Sequence, residues 1–172
     1  LAQGRSAIVL VPEIALAMQM EKRFQNRFGA ENVAILHSKL TTSKRLENWL
    51  RIREGSAKVI LGARTAIFAP VTDLGLVVID EEHESTYKSD HNPKYETMDV
   101  AYKRAGTFGA TVVLGSATPS VVSFYRASVG IYHLIELKNR VGKSRLPDVE
   151  IEDIRGQVAR GRNEMISLRL QG

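Results

Sequence analysis

The run "LVVIDEEHES" ends four apolar residues, 76–79, in four consecutive ionisable ones, Asp80, Glu81, Glu82 and His83. Residue types in this order have a definite chemistry. An aspartate at the carboxyl end of a buried strand can hold Mg²⁺, usually through water, because a hard cation takes carboxylate oxygen while phosphates complete its shell. A neighbouring glutamate, Glu81, can then polarise an attacking water. Carboxylates packed this closely stay ionised cheaply only when a cation offsets them. By itself, the cluster reads more readily as a solvated acidic turn after a core strand.

A second stretch repeats the grammar. In "VVLGSATPS" an apolar run leads through Gly115 to the hydroxyls of Ser116 and Thr118, and Pro119 opens a helix. Small hydroxyl residues at a strand end can hydrogen-bond a neighbouring acid and report its state. A Ser-Ala-Thr sequence is also an ordinary helix-capping signal. Two such strand ends in succession are far more specific than either one.

The elements that must position these residues are legible. Apolar, β-branched runs recur at 7–11, 33–37, 58–62, 74–80, 111–116 and 131–137. Most are continuous rather than alternating, as in strands buried on both faces of a parallel sheet. Between them, 12–28, 41–55, 97–109 and 119–128 carry helical spacing. The first opens on Pro12 and Glu13 and stops at Gly29; the second has Thr caps, turns Leu46, Trp49, Leu50 and Ile52 inward, and stops at Gly55. Trp49 is expected in the core and His37 at a strand end. Strands alternating with helices predict an α/β domain with a mostly parallel sheet.

The segment 84–96, "ESTYKSDHNPKYE", reads as a loop in which Tyr87 and Tyr95 are interleaved with Lys88, His91 and Lys94. Such a pattern suits base stacking beside phosphate contacts, although tyrosines in polar loops often serve as packing anchors. From Lys138 the chain turns basic and Gly- and Pro-containing. A last strand is expected at 149–154, and "SLRLQG" resembles the opening of a helix.

With 172 residues, 44% of them apolar and 25% charged, the chain suits one globular domain with a substantial core. No apolar run approaches the roughly 20 residues that span a bilayer, and residues 1–6 do not form a secretory signal. Cysteine is absent, so this chain makes neither disulfides nor thiolate metal sites. A formal charge of +5 permits an anionic partner without requiring one. The chain opens at Leu1 with a strong element almost at once, which suggests a piece of something longer.

"VIDEEH" followed by "GSAT" resembles motifs II and III of the superfamily 2 helicases and translocases, the DExH-box group. "LVPEIAL" (10–16) resembles motif Ia, and "GARTAIFAP" (62–70) the next DNA-contacting motif. Together with "DEEHESTYKSDHNPKY" and "LGSATPSVVSF", these stretches are most similar to the primosomal replication-restart helicases, from about 7 to 154. The resemblance implies a RecA-like parallel sheet flanked by helices, a motor domain truncated at its N-terminus, with residues 1–137 in the first motor domain and 138–172 a linker and the beginning of the second.

The same resemblance implies roles. Asp80 would bind Mg²⁺ and Glu81 the hydrolytic water; Glu82 and His83 complete the box. Ser116 and Thr118 would couple hydrolysis to DNA movement. Pro12, Glu13, Arg64 and Thr65 would border the single-stranded DNA track, and the loop with Tyr87, Lys88 and Tyr95 would relay DNA binding. The implied activity is ATP-dependent 3′-to-5′ unwinding at stalled forks, with primosome proteins and single-stranded DNA-binding protein as partners, in the bacterial cytoplasm at the nucleoid. Zinc is expected downstream of this chain and not within it. No Gly-Lys-Thr or Gly-Lys-Ser phosphate loop occurs here. In the family that loop precedes the position of Leu1, so the chain alone is expected not to hydrolyse ATP, and its sheet to carry an open edge. The rivals are another superfamily 2 translocase, of the fork-reversal or transcription-repair type, and a non-catalytic DNA-binding or interaction module with this fold.

Overall fold

The computed structural model describes residues 4–138 and the single positions 149, 151, 153 and 155. Five strands, β1 (Ser6–Leu10), β2 (Val33–Leu36), β3 (Val59–Gly62), β4 (Leu74–Ile79) and β5 (Thr111–Leu114), form one sheet in the order β2-β3-β1-β4-β5. Every pairing is parallel. The continuous apolar runs have the expected cause, since successive residues of β1 serve opposite faces. Ile8 and Leu10 join Ile60, Val77 and Ile79 on one face, beside Ile52 and Ala101. Val9 and Val11 join Ile35, Leu61 and Ala17 on the other, where Leu16, Met20 and Phe24 close over them.

Helices α1 (Ile14–Phe28), α2 (Thr42–Arg53), α3 (Thr97–Phe108) and α4 (Val121–Ser128) occupy the expected segments. Glu13 rather than Pro12 borders α1, in extended conformation, so Pro12 lies two residues before the first helical residue, Ile14. Thr41 caps α2 by accepting the Lys44 amide, 3.3 Å. Ser120 does the same for the Ser123 amide at the start of α4, 3.2 Å. Gly109 ends α3 in the left-handed conformation, which a glycine enters without the Cβ penalty.

The inward face of α2 differs from its expected composition. Ile52 is buried, but Leu46 and Trp49 are exposed, and the second buried position is Asn48. Its Nδ2 donates to the carbonyl of Ile35 at 2.8 Å, giving a carbonyl of the edge strand β2 a partner. Hydropathy alone does not anticipate that a helix will spend an inward position on a sheet edge.

Residues 131–137 form no strand. The amides of Ile131 and Tyr132 both turn back to the carbonyl of Arg126, 2.8 and 3.1 Å, closing the end of α4 through Gly130 at φ +78°. Donors used this way cannot pair with a sheet. The strand expected at 149–154 lies outside the continuous described residues. A compact unit runs from Leu1 to His133, and a second begins at Leu134. Among the described residues β5 has no neighbour on its far side, and Val113 there is 44% exposed.

Candidate active site

The acidic cluster occupies the carboxyl end of β4, as its sequence position requires. Asp80 is held there by its amide, which donates to Leu10 at 2.9 Å, and its Oδ1 accepts the Glu81 amide at 3.1 Å. Glu81 has φ +47°, the left-handed region, where a side chain other than glycine is strained by about 1–3 kcal/mol. That turn carries the next amide, of Glu82, onto the carbonyl of Gly115 at 3.0 Å, while the Gly115 amide donates to Ile79 at 2.8 Å. A Cβ at Gly115 would begin 3.4 Å from Asp80 Oδ1, an ordinary van der Waals contact, so the two strand ends are joined by these backbone hydrogen bonds and not by a need for glycine.

The four residues of the box then diverge. Asp80 and Glu81 are half-buried, whereas Glu82 is buried and fully occupied. Its Oε1 accepts the Ser120 amide at 2.7 Å; its Oε2 accepts the hydroxyls of Ser123 at 2.9 Å and Ser120 at 3.2 Å. His83 Nδ1 shares a hydrogen bond with Ser116 Oγ at 2.8 Å and stands 3.6 Å from Glu81 Oε2. Ser116 Oγ also accepts the Thr118 amide at 3.0 Å. Thr118 itself is exposed. Two of the four box residues, Glu82 and His83, are therefore tied to the β5–α4 turn, while Asp80 and Glu81 stay half-buried at the strand end. Ser120 and Ser123 escaped the sequence reading; their only signal was a serine at the cap and another three residues on.

Among the described residues no group of three or more His, Cys, Asp or Glu side chains is arranged to hold a metal ion. A cation bound through one carboxylate, water and phosphate oxygens needs no such cage. Asp80 offers that one carboxylate, so the donor set fits Mg²⁺ as a ligand shared with a nucleotide.

In the loop after the box, Tyr87 does not stand open as a stacking aromatic would. Tyr87 is buried, only 3% exposed, and its hydroxyl donates to the Asp80 carbonyl at 2.7 Å. Burial, with Asp80 nearby, pushes its phenol up, so it remains a neutral donor. It cannot stack on a base from there; it props the box from beneath. The Thr97 hydroxyl in turn donates to the Tyr87 carbonyl at 2.7 Å. Lys88 is exposed and pairs with Glu96 at 3.0 Å. Tyr95 packs edge-on against Phe68, centroids 5.1 Å apart, with the Arg64 guanidinium 5.8 Å from its ring. Arg64 donates to the carbonyls of Thr86, at 3.2 Å, and Lys88. Its guanidinium thus spans from the turn after β3 to the loop after β4. Thr65 is exposed beside it, and Pro12 and Glu13 lie past the carboxyl end of β1.

Residues 1–125 match the family model described as DEAD/DEAH box helicase. The chain belongs to the DEAD/DEAH box helicase family. Among curated proteins, this helicase chain is 46% identical over 170 residues to the replication restart protein PriA of Bacillus subtilis (strain 168), covering 99% of the chain and 21% of that protein. It is 46% identical over 154 residues to the PriA of Treponema pallidum (strain Nichols), covering 90% of the chain and 23% of that protein. The chain thus spans about a fifth of the length of these relatives. The C-terminal domain of the DEAD-box protein Dbp5 superposes with a TM-score of 0.54 at 22% identity, covering 75% of this chain and 72% of that one. RecG bound to a three-way DNA junction gives 0.51 at 26% identity, covering 74% and 16%. The parallel five-stranded sheet with flanking helices is the RecA-like fold of helicase domains.

Proposed function

We propose that this chain supplies most of the first motor domain of an ATP-dependent DNA helicase that restarts stalled replication forks. One observation carries the reading. The acidic box and the Ser116–Ser123 turn are wired together through His83–Ser116 and Glu82–Ser120/Ser123. Paired hydroxyls and acids at adjacent strand ends suit a device that passes the state of a nucleotide to a moving element. The likeness to the PriA proteins supports replication restart as the setting.

When bound, Mg-ATP supplies the reactive phosphoanhydride. Asp80 would hold the cation, and the Glu81 carboxylate would accept a proton from the attacking water. Glu82 touches no reacting atom; its three accepted bonds hold the box against α4. His83 and Ser116 carry a shift in the box to residues 116–120. Pro12, Glu13, Arg64 and Thr65 border a single-stranded DNA track, gripped through phosphates and therefore without sequence preference. In the Arg64 position found here, that grip works through the clamped 85–95 loop, with Lys88 and Tyr95 exposed or half-exposed on it. Thr118 lies exposed on the same turn, where it would serve the coupling. Residues 1–137 form the first domain, and 138–172 lead toward the second. Primosome proteins, single-stranded DNA-binding protein, a zinc-binding module elsewhere in the parent, and a cytoplasmic, nucleoid-associated location complete the proposal.

Among the described residues no helix is long and apolar enough to cross a membrane. The chain contains no phosphate loop, so on its own it should show no DNA-stimulated ATP turnover above background; robust turnover would overturn the half-site reading. In the full-length parent, Ser116→Ala should leave ATP hydrolysis within a few-fold while strand unwinding falls at least about tenfold, the size expected for one lost hydrogen bond to a coupled group. Equal losses in both would remove the coupling role.

A further inference from the structure

Among the described residues, two hollows have linings opposite in character. One, about 220 Å³, lies against α3 and α4 and carries Glu82, Glu84, Glu96 and Asp99 against Lys88 and Arg126. An anionic strand is repelled there. The other, about 330 Å³, is lined by His37, Ser38, Arg45, Trp49, Thr65 and Phe68, with no carboxylate in its wall. Its size falls within the roughly 300–1,000 Å³ of small-ligand sites.

This second hollow is assembled from three separate elements. His37 and Ser38 follow β2, Thr65 and Phe68 lie in the turn after β3, and Arg45 and Trp49 stand one helical turn apart on α2. It therefore sits past the carboxyl ends of two adjacent strands, where parallel sheets collect ligands. Two large aromatics are left in water around it, Trp49 at 37% and Phe68 at 53% exposure. Trp49 is held by the Arg53 guanidinium, 5.0 Å over its ring. His37 is the reverse, 8% exposed, and its buried Nδ1 has no hydrogen-bond partner. Burial lowers its pKa, with Lys39 and Arg45 adding to the effect and Glu21 opposing it.

We propose that this hollow seats an unstacked nucleobase of single-stranded nucleic acid, with Trp49 and Phe68 as stacking faces and Arg45 on the flanking phosphate. The inference rests on the DNA-track reading above, because Thr65 belongs to both. It adds a contact to the base where that reading supplies only contacts to the backbone. Stacking on aromatics tolerates any base, so the site holds the strand without selecting sequence.

Trp49 is the only tryptophan in the chain, so its fluorescence reports the hollow directly. The chain is titrated with an oligothymidylate of about 12 nucleotides and with an abasic strand of the same length, and labelled strands are followed in parallel by anisotropy. The oligothymidylate should quench Trp49 and bind roughly tenfold more tightly than the abasic strand, which should leave Trp49 unquenched. Phe68→Ala and Trp49→Ala should each remove about tenfold of the oligothymidylate affinity and leave abasic binding unchanged, while Trp49→Phe retains most of it. Both side chains are exposed, and a thermal melt confirms that each variant folds. Equal affinity for the two strands, or quenching by both, overturns the base seat and leaves the backbone track standing. Binding of neither strand overturns the base seat together with the DNA-track reading.

Discussion

The hydroxyl of Ser123, in the first turn of α4, donates to Glu82 Oε2 at 2.9 Å, although 41 residues separate the two. Both side chains are buried, and the same carboxylate also takes the amide and hydroxyl of Ser120. Through that one acid, the strand end bearing Asp80 and the helix following Ser116 form a single structural piece.

Ser123→Ala should therefore destabilise the domain by about 1–3 kcal/mol, the usual cost when a buried charged acceptor loses a donor. Glu82→Ala should cost more, since it strands the Ser120 amide and two hydroxyls at once. Urea denaturation of the chain gives both values. A Ser123→Ala effect below a few tenths of a kcal/mol would mean that the Glu82 carboxylate is not dependent on this donor.

Gly62 ends β3 just before the turn that carries Arg64 and Thr65. A Cβ at this position would begin 2.1 Å from the Leu36 carbonyl oxygen and 2.6 Å from Ala66 Cβ. Neither neighbour is the free end of a flexible side chain. Gly62→Ala should cost at least about 1–3 kcal/mol through overpacking, read as a lowered thermal midpoint. An unchanged midpoint would show that β2 and β3 separate more readily than their shared register implies.

Arg64 joins the turn after β3 to the loop after β4 through two backbone carbonyls and the face of Tyr95. Arg64→Ala should raise hydrogen exchange of the loop amides by roughly tenfold, the equivalent of one good hydrogen bond. Lysine, with a point charge in place of a planar fork, should restore little of this. Any DNA affinity of the chain should fall alike for all sequences, and a sequence-selective loss would contradict a contact made through phosphates.

His37 makes stability depend on pH. Its pKa is held below the ordinary 6.5, chiefly by burial, so the unfolded chain takes up a proton at a pH where the folded one does not. The folded state keeps its full contribution above 6.5 and loses it as the pH falls below that value. Denaturation midpoints measured from pH 7.5 down to 5 should drop for the native chain, and drop less for His37→Gln. Parallel profiles would assign the acid sensitivity to other groups.

Local order was legible before any contact was known. Buried strands announce themselves by continuous β-branched runs, and helices by apolar spacing with Thr41 and Gly29 at their ends. Those features bias the backbone of a few adjacent residues, so they survive in the linear text. The DEEH box and the Ser116 turn were legible for the same reason, since a strand end is a local event.

What tertiary structure alone decided is which side chains meet. The order β2-β3-β1-β4-β5 sets β4 beside β5, and so brings Glu82 to Ser123 and His83 to Ser116. It sets β2 beside β3, and so gathers His37, Trp49 and Phe68 around one hollow. Tyr87 reads as a loop aromatic, yet it lies buried under Asp80; Trp49 reads as core, yet it stands half in water. Hydropathy scores a residue by its own preference for water. Burial is decided by the elements that arrive from elsewhere in the chain to cover it.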